Sequence, residues 1–354
     1  MKILDRYLGI AIVSGTVLAL LLLVSVGTLM EFVDEMDEVG KQDYTYLTAS
    51  LFTLLTVPQR IYEFFPAAML LGSLLSLGNM AANSELVVMR AAGVSVARII
   101  RSALQVGLLL TIGAILLGEF VAPSSEQKAQ KVRHFAKSSK LAVSTRDGLW
   151  AKDGNNFLNV QEVFPDMRLG GVRVYQFDEN GQLYRFSLAS SAEYTGHDWM
   201  LMNVRHTLIS TEKIVTRELP KERWKRLLSP DLFDVITVKP REMSANKLAR
   251  YVEYLKQNGL DSSKYELAYW TRFTVPLSGL VMLLVAMPFV FGPLRSGGGG
   301  QRMFIGILIG VVFHLINQTF NKIGLVYGIA PFIAATLPLF IYLIISLVFI
   351  RRVG

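Results

Sequence analysis

The chain has 354 residues, of which 52% are hydrophobic and only 18% charged, where a soluble domain carries about 25% charged residues. Together with a mean hydropathy of +0.40, this excludes an ordinary soluble globular protein. The absence of cysteine excludes disulfides, thiolate metal sites and a cysteine nucleophile; the net charge of +8, carried beside apolar runs without an arginine-rich helix or an aromatic-basic reader motif, suits anionic lipid and membrane orientation and not nucleic acid.

A helix crossing a bilayer needs about 20 apolar residues, at about 1.5 Å of rise each through about 30 Å of hydrocarbon. The first such run is Leu8 to Met30. It is too long for a signal-peptide core and no small-residue cleavage site follows, so it reads as an uncleaved span. An acidic loop with Glu31, Asp34, Glu35, Asp37 and Glu38 comes next. Leu47 to Val57 is apolar but too short to cross alone. It is either an interfacial helix or an early extension of the second span, Phe64 to Ala82, with Arg60 and Glu63 between the two pieces placed to pair with each other.

Asn83 to Gly93 follows as a short polar-ended segment. Ser84 is placed to cap a short helix, Glu85 falls in its first turn and Gly93 is placed to close it. On spacing alone, a loop helix whose Glu85 complements the helix dipole is the simpler account. The functional account is a helix docked in the groove of a cytoplasmic ATPase through Ser84, Glu85, Leu86 and Arg90. The third span is Ile99 to Leu117, and the polar stretch Ser124 to Ser138 continues it outward. That stretch carries Lys128, Lys131, Arg133, Lys137 and, just beyond, Lys140, either a solvated helix face or a binding surface for phosphate groups.

From about 122 to 262 the pattern changes to short alternating runs, such as Phe157-Leu158-Asn159-Val160 and Val172-Arg173-Val174-Tyr175. Turn signals separate them at Asp153-Gly154-Asn155, Gly170-Gly171, Asn180-Gly181 and Gly196-His197-Asp198. Short strands at this spacing predict an antiparallel sandwich or jelly roll, and Asn180-Gly181 suits a type I′ hairpin turn. Leu248, Tyr251, Val252 and Leu255 then mark an amphipathic helix ended by Gly259.

Three further spans close the chain: Phe273 to Phe291, Met303 to Phe320 and Ile329 to Ile350. Gly297 to Gly300 lacks the Lys-Ser/Thr pair of a phosphate-binding loop, since Gln301-Arg302 follows, so any ATP belongs on another chain. In span five His314, Asn317, Gln318 and Asn321 share one helical face, which serves either interhelical hydrogen bonds or a cavity. The four histidines, His134, His197, His206 and His314, lack ligand-spaced partners, and neither a metal site nor a catalytic set emerges. Basic residues of the short loops, from Lys2 and Arg6 through Arg90, Arg98 and Arg101 to Arg351 and Arg352, place both termini in the cytoplasm and the middle domain outside.

The fold read from these features is an α+β membrane protein. Residues 1–121 hold spans one to three, 122–262 an external β domain with flanking helices, and 263–354 spans four to six. Beside the transporter reading stands a membrane scaffold or sensor that uses its outer domain for binding.

Several stretches resemble the lipopolysaccharide-export permease family LptF/LptG, nearer its LptG branch. They are Leu4-Asp5-Arg6-Tyr7, Phe64-Phe65-Pro66, Ser84 to Met89, Val121-Ala122-Pro123, Leu149 to Phe157, Phe291 to Ser296 and Val326-Tyr327-Gly328-Ile329. The resemblance implies a multi-pass protein of the bacterial inner membrane with a jelly roll in the periplasm. It implies a heterodimer with an LptF-like sister permease, an LptB-like ATPase dimer that binds ATP and Mg, and an LptC-like single-span partner. The chain itself would hold no cofactor. Lipopolysaccharide would be extracted from the membrane and passed to a periplasmic bridge. Carried over by position, Glu85 matches the coupling-helix glutamate, Arg133 a residue that meets lipid phosphates with Lys128 and Lys131 nearby, and His314 a cavity-facing aromatic. The outer end of span one departs from the pattern: Glu31, Asp37 and Glu38 stand where relatives can carry lysines, which leaves Lys41 as the nearest basic candidate.

Overall fold

The computed structural model describes residues 3–41, 43–137, 143–164, 168–178, 180–210, 213–224, 239–291 and 299–353. Lys140, Gly297 and Gly298 lie outside the described residues. Six helices are long and apolar enough to cross a membrane. They are α1 (Ile3–Met36), α2 (Tyr46–Ala82), α4 (Val96–Leu116), α7 (Ser263–Phe291), α8 (Gly299–Val326) and α9 (Pro331–Val353). A short helix, α3 (Glu85–Ala91), joins α2 to α4. A single π-helical turn, Leu117–Val121, carries α4 into α5 (Ala122–Lys137), and α6 (Ala245–Gln257) precedes α7.

Helices α2 and α7 form the centre of the bundle, with α1, α4, α8 and α9 around them. In α2 and α7, 72% of the most apolar stretch is buried, against 28% in α1 and 11% in α8. The centre is filled by Met69, Leu70, Leu74, Leu77, Met282 and Met287. Close approach of α1 to α2 depends on small residues, as is common where lipid gives no hydrophobic drive to helix association. Gly15 faces Gly72, and any side chain at Gly72 would fall on the Thr16 backbone.

The apolar stretch before span two is an extension and not a separate interfacial helix, since α2 runs unbroken from Tyr46. Arg60 and Glu63 do not pair with each other. Arg60 pairs with Glu31 of α1 and donates to the Gly27 carbonyl at 2.6 Å, while Glu63 pairs with Arg241 at 2.6 Å. At i and i+3 the two side chains diverge because each finds an opposite charge on a different neighbouring segment.

The middle domain carries six strands: β1 (Val143–Asp153), β2 (Asn156–Val163), β3 (Leu169–Phe177), β4 (Leu183–Tyr194), β5 (Trp199–Ile209) and β6 (Ile214–Trp224). All neighbours are antiparallel and follow sequence order, so the described strands form one meander. Leu158, Val160, Val172, Val174, Ala189 and Leu201 face one core. At Asn203, with φ of +51°, the alternation shifts by one, so Trp199 and Leu201 before it and Val204 and His206 after it all face inward.

Two expected turns differ. Gly170-Gly171 lies inside β3 and not between strands. Asn180-Gly181 is not a type I′ pair: among the described residues of the loop Gly181 alone takes positive φ, at +76°. The Asp178 carbonyl accepts from Gly181 N and Asp178 N donates to the Gln182 carbonyl, which makes a three-residue loop with glycine in the left-handed position. The Asp178 carboxylate accepts from Asn180 N and Gln182 N, and this local capture selects the longer loop. Helix α6 forms as its spacing predicts, with Leu248, Tyr251 and Leu255 buried and Gly259 at φ of +63° past its end.

Candidate functional site

Three groups of residues merit separate construction. The first is α3, at the bundle end opposite the β domain, between the ends of α2 and α4. Leu86 is buried and anchors it, while Val87, Val88 and Arg90 are exposed. Ser84 is not a side-chain cap: it sits at φ of +61° and offers only its carbonyl, to Val88 N at 3.0 Å. The left-handed turn at Ser84 breaks α2 from α3, and Gly93 at φ of +87° ends α3. Glu85 accepts a hydrogen bond from the Tyr7 hydroxyl at 2.9 Å. Beside it, Ser102 of α4 donates to Asp5 at 2.6 Å. The start of α1 is thereby tied to both α3 and α4. Tyr7 as a partner of Glu85 is not legible from spacing, since 78 residues separate them.

The second group surrounds the β-domain end of α1. Lys128 and Lys131 are exposed on one face of α5, but Arg133 turns the other way. Arg133 pairs with Glu35 of α1 at 2.8 Å, and its guanidinium lies 5.1 Å from the Phe52 ring of α2. Glu35 is buried and also accepts from the Tyr44 hydroxyl at 2.6 Å. Desolvation and this bond to Glu35 push the Tyr44 phenol well above its usual range. Lys41 pairs with Glu38 at 3.2 Å. Of the expected basic cluster, the three members with described side chains are thus two outward lysines and one inward arginine, and the side chain of Lys137 lies with Lys140 outside the description. Glu31, Glu35 and Glu38 each have a cationic partner, Arg60, Arg133 and Lys41 respectively.

The third group is the outer face of α8. His314 and Gln318 are exposed and bonded to each other at 2.7 Å. Asn317 and Asn321 are half-buried beside them, and Asn321 Oδ1 lacks a hydrogen-bond partner. Exposed Phe304, Ile307, Leu308, Val311 and Leu315 cover the rest of that face. Helix α8 packs on α2 through Gly306 against Leu71 and Leu74, and α1 packs on α2 through Gly15 against Gly72. At one depth in the bundle, α1 and α8 therefore flank α2, each with an apolar outer surface.

The remaining described histidine of interest, His206, is structural in setting. It is buried in the β domain, with Nδ1 2.8 Å from Ser187 Oγ and Nε2 2.8 Å from Glu222. Ser187 is 1% exposed, which denies it to a substrate.

Residues 6–352 match the model of the lipopolysaccharide export system permease LptF/LptG. The chain is 39% identical over 353 residues to the lipopolysaccharide export system permease protein LptG of Escherichia coli strain K12, covering 99% of this chain and 98% of that one. It is 35% identical over 343 residues to the protein of the same name from Haemophilus influenzae, covering 96% of each. With six apolar helices, an inserted antiparallel sheet and a match from end to end, the chain belongs to the LptF/LptG family of lipopolysaccharide export permeases.

Proposed function

We propose that this chain is the LptG-type permease subunit of an ATP-driven exporter that lifts lipopolysaccharide out of the inner membrane and passes it to a periplasmic bridge. Both termini and α3 face the cytoplasm, and the β domain faces the periplasm. This orientation follows from the basic residues at the termini and around α3. A related permease pairs with the apolar outer faces of α1 and α8, enclosing a cavity for acyl chains. His314, Gln318, Asn317 and Asn321 line its wall, since such groups are costly against lipid. Lys41, Lys128, Lys131 and Arg133 meet the phosphates, and a single-span partner joins on the periplasmic side. ATP and Mg are held by a cytoplasmic ATPase dimer docked on α3.

The observation that carries this reading is the construction of α3. It is a seven-residue helix with one buried anchor, an exposed basic end and a carboxylate held by α1. A helix this short is marginal by itself, so its placement depends on Leu86 and on what covers its exposed face. The test is co-purification of tagged full-length chain from native membranes in mild detergent. Wild type brings down an ATPase and a second six-span permease, and Glu85→Arg loses the ATPase while keeping the permease. An unchanged set of partners with Glu85→Arg, or the absence of any ATPase, would overturn the docking role.

A further inference from the structure

The chain returns from the β domain to the bundle through Pro240–Asn246, and side chains from four other segments converge there. Arg241 pairs with Glu63 of α2 at 2.6 Å. Gln127 of α5 donates to the Glu242 carbonyl at 2.8 Å. Glu119, in the π-helical turn, accepts from Ala245 N at 2.7 Å and Asn246 N at 3.3 Å, holding the start of α6. Arg272 of α7 donates to the Arg241 carbonyl at 2.5 Å and to the Gly118 carbonyl at 3.3 Å.

Arg272 is the centre of this set. It is 9% exposed, and its guanidinium bonds go to two main-chain carbonyls, with Glu63 and Glu119 close enough to offset its charge. Its guanidinium lies 5.5 Å from the Tyr62 ring, and the Tyr62 hydroxyl donates back to the Arg272 carbonyl at 2.8 Å. A π-helical turn leaves carbonyls out of the regular ladder, and such turns recur at functional sites. Here the turn presents the Gly118 carbonyl to Arg272, and Gly118 must lack a side chain because the Tyr62 ring fills that space. Two separate nitrogens of the planar fork reach the two carbonyls, a span that the single nitrogen of a lysine ammonium does not reproduce in the same geometry.

We propose that Arg272 is a positioning residue for transport: it locks the end of α4 and the exit of the β domain to α7, so that rearrangement of the bundle moves the β domain. The inference rests on the transport reading above. Side-chain pairs alone would tie rotamers. Bonds to the Gly118 and Arg241 carbonyls tie the two backbones to α7, so a shift of α7 carries the end of α4 and the start of α6 with it, and α6 is bonded to β1 through the Tyr254 hydroxyl, which donates to the Lys152 carbonyl at 2.7 Å.

The test uses the full permease pair with its ATPase in proteoliposomes containing lipopolysaccharide. ATP hydrolysis and ATP-dependent release of lipopolysaccharide to a soluble acceptor are measured side by side. Arg272→Lys keeps the charge but loses the fork. It is expected to lower release per ATP by about fivefold or more, within the ordinary range of coupling between sites, with assembly and ATP hydrolysis unchanged. Arg241→Gln, whose side chain is 61% exposed and outside the core, loses the pair with Glu63 but keeps the main-chain carbonyl that Arg272 holds, so its release per ATP stays near wild type. Release per ATP equal to wild type in Arg272→Lys, or an equal fall in Arg241→Gln, overturns the proposal. So does parallel loss of assembly and hydrolysis in Arg272→Lys, which marks a purely structural role. Absence of ATP-dependent release by the wild-type complex instead overturns the transport reading, and the inference with it.

Discussion

At Arg133 an ion pair within the fold competes with the phosphate contact proposed for the same side chain. In this structure its guanidinium is taken by Glu35, which is buried and also bonded to Tyr44. To meet a lipid phosphate, Arg133 must exchange one anion for another. Glu35→Gln removes the competitor and leaves the arginine short of a charged partner. The expected outcome is tighter binding of lipopolysaccharide, together with a loss of about 1–3 kcal/mol of stability, typical of a broken half-buried charged bond. Binding measured against melting temperature in the same detergent separates the two, and a gain in neither would mean that Arg133 serves only the fold. A second residue-scale prediction concerns Glu242. Burial is the main cause that lifts its carboxyl above the ordinary 4.5, with Lys239 and Arg241 acting against it. A raised carboxyl binds its proton more tightly folded than unfolded. Its contribution is therefore greatest below the ordinary value and declines as pH rises above it. Glu242→Gln should raise the melting temperature at neutral pH and have little effect at pH 4, read by thermal scans at the two values. Legibility at this scale was uneven. His314 and its partner Gln318 lie one turn apart and are legible from spacing; Glu85 and Arg133 stand out as residue types, but their partners do not. Tyr7 and Glu35 reach them only through helix packing, which one-dimensional spacing does not encode.

At the scale of elements, apolar length and period served well and turn chemistry less so. All six spans follow from about 20 apolar residues each, because hydrocarbon thickness leaves little choice. The boundary of α2 does not, since its first turns are apolar but lie beyond the charged pair of Arg60 and Glu31. Helix α6 was fully legible because Leu248, Tyr251 and Leu255 repeat on one face and Gly259 ends it. The hairpin at Asp178–Gln182 was not, because Asp178 captures two amides of its own loop and lengthens the turn by one residue. Gly181→Ala tests that geometry. At φ of +76° a methyl group is disfavoured by about 1 kcal/mol, so the variant should melt slightly earlier without loss of the sheet. Gly72→Leu is a harsher change. Its side chain would fall on the α1 backbone, so α1 must separate from α2. Loss of native assembly is expected, detected as aggregation on size-exclusion chromatography.

At the scale of the molecule, burial is uneven among the six spans. The two central helices are largely covered, whereas α8 is covered over 11% of its most apolar stretch. Lipid satisfies exposed Leu308 and Val311, but it offers nothing to the hydrogen-bonding capacity of His314, Gln318 and Asn321 on the same helix. A polar face in hydrocarbon requires protein or water opposite it. Chain expressed alone should therefore be less stable than chain co-purified with a second permease, by mass action on the folded state. Each 1 kcal/mol corresponds to roughly 2–4 °C in melting temperature for a domain of this order of size, so a difference of several degrees is expected. His314→Leu with Gln318→Leu sharpens the test. If the face meets lipid, the double change removes a buried polar cost and raises the melting temperature of the lone chain and of the complex alike. If the face lines a hydrated cavity made with the partner, the lone chain gains while the complex gains little, and export falls because the cavity wall has changed. Equal stabilisation of both forms with export intact would place this face against lipid and remove α8 from the transport path.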